Sequence, residues 1–150
     1  MNNGLQRFID AQNENNGGKS IAEIALEEIK KFKKESHWIW FIFPQIKGLG
    51  TTQNSIKYAI ADREEAALYL SHPILGTRLI EITQAALDGA ETHSALEIFG
   101  ETDAKKFLSS MTLFSTSNPE VKVFREALEL FFEGKVDTKT IQLLDEASLS

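Results

Sequence analysis

The chain has 150 residues, of which 42% are apolar, with a mean hydropathy of −0.21 and a formal net charge of −6. It is long enough for one domain with a sizeable core, and its hydropathy argues against membrane residence. The absence of cysteine excludes disulfides, zinc–thiolate sites and cysteine nucleophiles. The acidic balance argues against a nucleic-acid surface, which needs a concentrated excess of Lys and Arg.

Taken in order, residues 1–10 contain no apolar signal core, so a cytoplasmic location is the expectation. Leu5, Phe8 and Ile9 are spaced as the stripe of a short helix. Residues 13–18 are polar and glycine-containing and read as a mobile surface loop. Ser20 with Glu23 has capping-box spacing and opens a helix that buries Ile21, Ile24, Ala25, Ile29 and Phe32. Glu27 and Lys31 would pair on its wet side. Lys30, Lys31, Lys33 and Lys34 gather at its end, where positive charge complements the helix dipole.

Residues 36–50 follow, and the rest of the chain is organised around them. They hold both tryptophans and two of the ten phenylalanines. Residues 38–43 are apolar without a break, too short a run to span a bilayer. His37 stands at one end and Gln45 beyond the other. Residues 36–61 contain no Asp or Glu in a chain with 22 acids. The period leaves open whether this run is strand or helical turn. Pro44 ends it, Gly48 and Gly50 allow a tight turn or a close approach, and residues 51–55 read as polar loop.

Asp62 and Glu65 read as an N-cap and its partner three residues on, ahead of Ala66, Ala67, Tyr69 and Leu70. His72-Pro73 marks another helix start, with Ile74, Leu75, Leu79, Ile82 and Ala86 in helical period and Gly89 past the end. Residues 92–99 form a short helix closed by Gly100. Asp103 caps the next, whose inner stripe is Phe107, Leu108, Met111 and Phe114. Asn118-Pro119 opens a helix that buries Val123, Phe124, Ala127, Leu128 and Phe131, and Gly134 stops it. Asp137 caps a last helix through Ile141 and Leu144, with a frayed tail after Asp145. The sum is about seven helices, no strand and no linker. Residues 1–150 read as a single all-α domain of irregular architecture packed around the aromatic segment.

No nucleotide-loop, zinc-protease or serine-elbow motif is present, and the three histidines fit no local metal spacing. His37 is either a general base or ligand donor or a ring satisfied by backbone. Trp38 or Trp40 can stack a planar ligand, or both are core. Gln45 supplies a polar contact, and Gly48 and Gly50 can bring backbone N–H groups to an anion. Arg78 can clamp a carboxylate or phosphate with its two-pronged donors, or form a surface ion pair. Asp103, Lys106 and Ser110 share a face of one helix. Ser109 and Ser110, mediocre helix formers, indicate close packing or ligand contact there.

The blocks SHWIWFIFPQIKGLG, SHPILGTRLIE and IFGETDAKKFLSSMTLF, with the closing FFEGKVDTKT, resemble the bacterial domain-of-unknown-function family eighteen-ten over nearly the whole chain. That resemblance implies an all-helical fold without an established activity. DAKKFLSSM and HPILGTRL are more distantly similar to the NADAR superfamily of YbiA-like proteins, which cleave N-glycosidic bonds or bind ADP-ribose-like molecules. On that likeness Asp103 matches an acidic catalytic position, while the glutamate expected before Tyr58 is absent. The combined expectation is a cytoplasmic helical protein with a nucleotide-like or ADP-ribose-like small-molecule ligand. His37 and Asp103 are its catalytic candidates. Trp38, Trp40, Gln45, Gly48, Gly50, Arg78, Lys106 and Ser110 are its ligand contacts, with no metal or cofactor and no nucleic-acid or membrane partner. The alternative is a non-enzymatic protein–protein interaction module that uses the aromatic segment as core or groove.

Overall fold

The computed structural model describes residues 3–149. Ser20, Thr52, Asp62 and Ser94 each start a helix by accepting the backbone N–H three residues on, whereas the Asp137 side chain caps no backbone N–H of the last helix. Met1, Asn2 and Ser150 lie outside the described residues. A 3₁₀ turn (Asn3–Leu5) leads into α1 (Gln6–Asn13). Ser20 and Glu23 form the reciprocal capping box of α2 (Ile21–Lys30). The aromatic run yields a single turn, α3 (Ile39–Ile42), followed by α4 (Gln53–Lys57). Asp62 accepts from the Glu65 N–H at 2.8 Å at the start of α5 (Arg63–Ser71). Then come α6 (Leu75–Leu87), α7 (Ala95–Phe99), α8 (Glu101–Ser117), α9 (Lys122–Phe132) and α10 (Thr138–Ser148).

The chain is therefore all-α, with ten α-helices among the described residues rather than about seven. The extra ones include the single turns α3 and α4, too short to show a period in sequence. Residues 51–55 are not all loop: the Thr52 hydroxyl accepts from the Ser55 N–H and opens α4. Residues 13–18 are not simply a loop either. Gly17-Gly18 turn a minimal hairpin in which β1 (Asn15–Asn16) pairs with β2 (Lys19–Ser20). Glu27 meets Lys19 at 2.7 Å rather than Lys31. Asn118-Pro119 makes a turn, and α9 starts only at Lys122. The tail stays helical to Ser148.

The core forms around α8, which packs on α3, α5, α7, α9 and α10, while α6 closes against α2, α5 and α9. Phe107 is its centre: Phe99 stacks on it at 4.3 Å between centroids and Phe43 meets it edge-on at 5.0 Å. The aromatic segment supplies fully buried Trp38 and Phe43 to this core. Burial of such side chains contributes about 1.5–3 kcal/mol each. Gly76 lets α5 and α6 meet tightly, since a Cβ there would lie 1.8 Å from the Leu70 carbonyl oxygen. No helix among the described residues is long and apolar enough to cross a membrane.

Candidate functional site at the start of α8

The linker between α2 and α3 should be loose, being polar and lysine-rich. It is instead gathered by one carboxylate. Glu28 accepts from the Glu35 N–H (2.9 Å), the Ser36 N–H (3.0 Å), the Ser36 hydroxyl (2.5 Å) and the Trp38 indole Nε1 (2.9 Å). Burial alone would push the Glu28 carboxyl up. The bonds from Ser36, Glu35 and Trp38 outweigh it and hold the carboxyl below its ordinary value. The backbone N–H of Lys34 adds a 2.7 Å bond to the Ile98 carbonyl of α7.

This folding turns Lys34 inward. Its side chain is only 4% exposed, and its ammonium lies 2.6 Å from Asp103 Oδ2, bonds the Ser36 carbonyl and sits 4.7 Å from the Trp38 ring centre. Lys34 therefore does not belong with the solvated lysines at the end of α2. The sequence signal was its position past the helix end, next to the aromatic run. Asp103 is likewise not a cap. Gly100, with φ of +83°, is the residue before α8 and offers no side chain to it. Asp103 lies in the first turn with Glu101, where negative charge complements the dipole.

Around the Lys34–Asp103 pair lies a cleft of about 370 Å³. His37 and Trp40 line it from the α2–α3 linker and α3, Phe99 from α7, and Glu101, Thr102, Asp103 and Lys106 from α8. Lys106 is 3.8 Å from Asp103 Oδ1, and its ammonium stands 5.0 Å from the Trp40 ring centre, within cation–π range. His37 is exposed at the rim. Trp40 is half-buried, and its indole Nε1 is buried with no hydrogen-bond partner among the described residues. Four residues selected from sequence thus come together: His37, Trp40, Asp103 and Lys106.

The other six do not join them. Trp38 is fully buried, and its N–H is committed to Glu28. Gln45 lies past α3, where its carbonyl accepts from the Ile60 N–H beside an isolated parallel bridge between Ile46 and Ile60. Gly48 faces Leu143 of α10 and Gly50 faces Ser55 of α4, so both serve close approach of protein to protein. Arg78 lines a different concavity, between α2 and α6. Ser110 is fully buried in α8, with no partner for its hydroxyl among the described residues. Its neighbour Ser109 has a packing role: it donates to Asp137 at 2.9 Å and ties α8 to the start of α10. Among the described residues, no three His, Cys, Asp or Glu side chains gather as metal ligands would.

No curated protein matches the chain significantly. Among solved structures, it is similar to the crystal structure of the conserved hypothetical protein Rv1873 from Mycobacterium tuberculosis. The two are 37% identical, with a TM-score of 0.87 over 94% of this chain and 96% of that one. Residues 2–144 match the model of a family described as "Protein of unknown function (DUF1810)". The all-helical fold and near-complete coverage agree, and the chain belongs to the DUF1810 family.

Proposed function

We propose that the cleft at the start of α8 binds a nucleotide-like or ADP-ribose-like small molecule. The observation that carries this reading is the meeting of an aromatic ring with an unpartnered N–H, two lysines and an exposed histidine in one concavity. Trp40 stacks the planar group. Lys106 meets anionic oxygens, Lys34 adds positive charge from beneath Asp103, and His37 closes the rim. The volume is at the low end for small-molecule sites. The cleft therefore takes the base or ribose-phosphate portion, with the remainder over the exposed rim at Glu101 and Thr102.

Asp103, flanked by two ammonium groups, is placed to stabilise positive charge developing on a ribose or to orient water. The NADAR likeness motivates N-glycosidic cleavage as the reaction to assay. That likeness lacks its second acid in residues 36–61, but Glu101 supplies a carboxylate at the cleft edge. A concave site with convergent polar groups also favours a ligand over a flat protein-docking surface.

A thermal-shift series with ADP-ribose, NAD and mononucleotides tests the reading. A ligand at about 100 times its dissociation constant adds about 2.7 kcal/mol to stability. The expected result is a shift that His37→Ala and Asp103→Asn diminish. A flat response across the series, or a shift that both variants retain, overturns the assignment to this cleft.

A further inference from the structure

The single turn α3 separates two concavities: Ile39 and Trp40 line the cleft just described, whereas Ile42 lines a second one of about 290 Å³ between α2 and α6. Leu26, Ile42, Leu79 and Ile82 give this second cleft an apolar wall. Its charged groups are Arg78, Glu23 and Glu81.

Arg78 is held by neutral acceptors alone. One terminal nitrogen donates to Gln12 Oε1 at 3.0 Å and the other to Asn13 Oδ1 at 2.9 Å. Gln12 is only 1% exposed. Its amide nitrogen is spent on the Phe41 carbonyl (2.6 Å) and the Tyr69 hydroxyl (3.1 Å), which fixes its oxygen on Arg78. A buried network therefore orients the guanidinium. Among the described residues no carboxylate lies within ion-pair distance of it, although Glu23 feels its charge across the cleft, and its remaining N–H donors have no acceptor. An oriented guanidinium with open donors suits a carboxylate.

The two acids decide the rest of the ligand. Glu81 lies three residues after Arg78 on α6, hence on the same face, and is exposed without a partner. Glu23 stands across the cleft on α2, with one oxygen engaged by the Ser20 N–H. A simple anion on Arg78 would face two like charges. A simple amine on Glu81 would face the guanidinium. A small zwitterion with an apolar body satisfies all three groups and the wall.

We propose that this second cleft binds a free α-amino acid with an aliphatic side chain. Its carboxylate lies on Arg78, its ammonium on Glu81 and its side chain against Leu79, Ile82 and Ile42. The cleft falls just below the usual volume of small-molecule sites, which matches a ligand of this size rather than a nucleotide.

The test is a calorimetric titration of the full chain with L-leucine, 4-methylpentanoate, which lacks the ammonium, and 3-methylbutylamine, which lacks the carboxylate. Leucine should bind about tenfold or more tightly than either analogue. Glu81→Gln, a change at an exposed and unpaired residue, should weaken leucine and leave 4-methylpentanoate unchanged or improved. Arg78→Lys should weaken leucine and 4-methylpentanoate together. The proposal is overturned if leucine fails to bind at millimolar concentration, if all three probes bind alike, or if Glu81→Gln leaves leucine's advantage over 4-methylpentanoate undiminished. None of these outcomes bears on the cleft at α8.

Discussion

Trp38 and Trp40 stand two residues apart in one apolar run, and the structure treats them in opposite ways. Trp38 is fully buried, donates its N–H to Glu28 and lies under the Lys34 ammonium. Trp40 keeps one side at a cleft, and its N–H has no partner among the described residues. The first region is a polar knot in which each indole, hydroxyl and backbone donor around Glu28 finds an acceptor. The second pairs Asp103 with Lys34 and Lys106 but leaves the Trp40 N–H without an acceptor. Buried polar groups are normally paired, so the complete knot reads as structure, and the unpaired N–H beside the cleft is what the proposed ligand site builds on.

The largest effect expected from breaking this contrast is on the knot. Glu28→Ala leaves the buried Trp38 N–H and the linker donors without their acceptor, and should destabilise by about 3 kcal/mol in chemical denaturation. The pH dependence has a defined sign. The Glu28 carboxyl is held below its ordinary 4.5 in the folded chain. Its contribution is present above that value and lost as pH falls through the folded-state pKa. The stability gap between the wild type and Glu28→Gln should therefore be constant near neutrality and shrink below about pH 4.5.

Lys34→Met comes next. Removing one partner of a fully buried ion pair costs about 3–5 kcal/mol. Asp103 keeps part of its exposure and retains Lys106, so about 1–2 kcal/mol is expected in the same denaturation experiment.

Effects on the open side should be small in stability and large in binding. Trp40→Phe removes an unpaired buried N–H along with some apolar area, and the two oppose each other. A change within about 1 kcal/mol is expected, with ligand affinity falling about tenfold or more in titration. His37→Ala, at an exposed position, should change stability by less than about 0.5 kcal/mol while weakening the ligand.

Much of the fold was legible because caps and periods are local. Ser20 with Glu23, and Asp62 with Glu65, act as their spacing says. Phe107, Met111 and Phe114 face the core, as their stripe implies. Single turns such as α3 carry no period, so the conformation of the aromatic run could not be settled from it.

The site was legible in residue type more than in partnership. His37, Trp40, Asp103 and Lys106 were chosen for their chemistry and share a cleft. Which of two tryptophans stays free depends on Glu28, ten residues before Trp38, and no local pattern announces that reach. Lys34 was missed because a lysine run after a helix is usually solvated. Its burial follows from Asp103, sixty-nine positions along the chain. Gly48 and Gly50 have the composition of an anion loop but pack against Leu143 and Ser55.

The most direct test of the central claim uses the two indole N–H signals in a ¹H–¹⁵N spectrum, one for each tryptophan, assigned with Trp40→Phe. On titration with ADP-ribose, the Trp40 signal should move progressively while that of Trp38, bonded to Glu28, stays nearly fixed. A Trp40 signal unmoved at millimolar ligand, or one that moves no more than that of Trp38, would contradict the account.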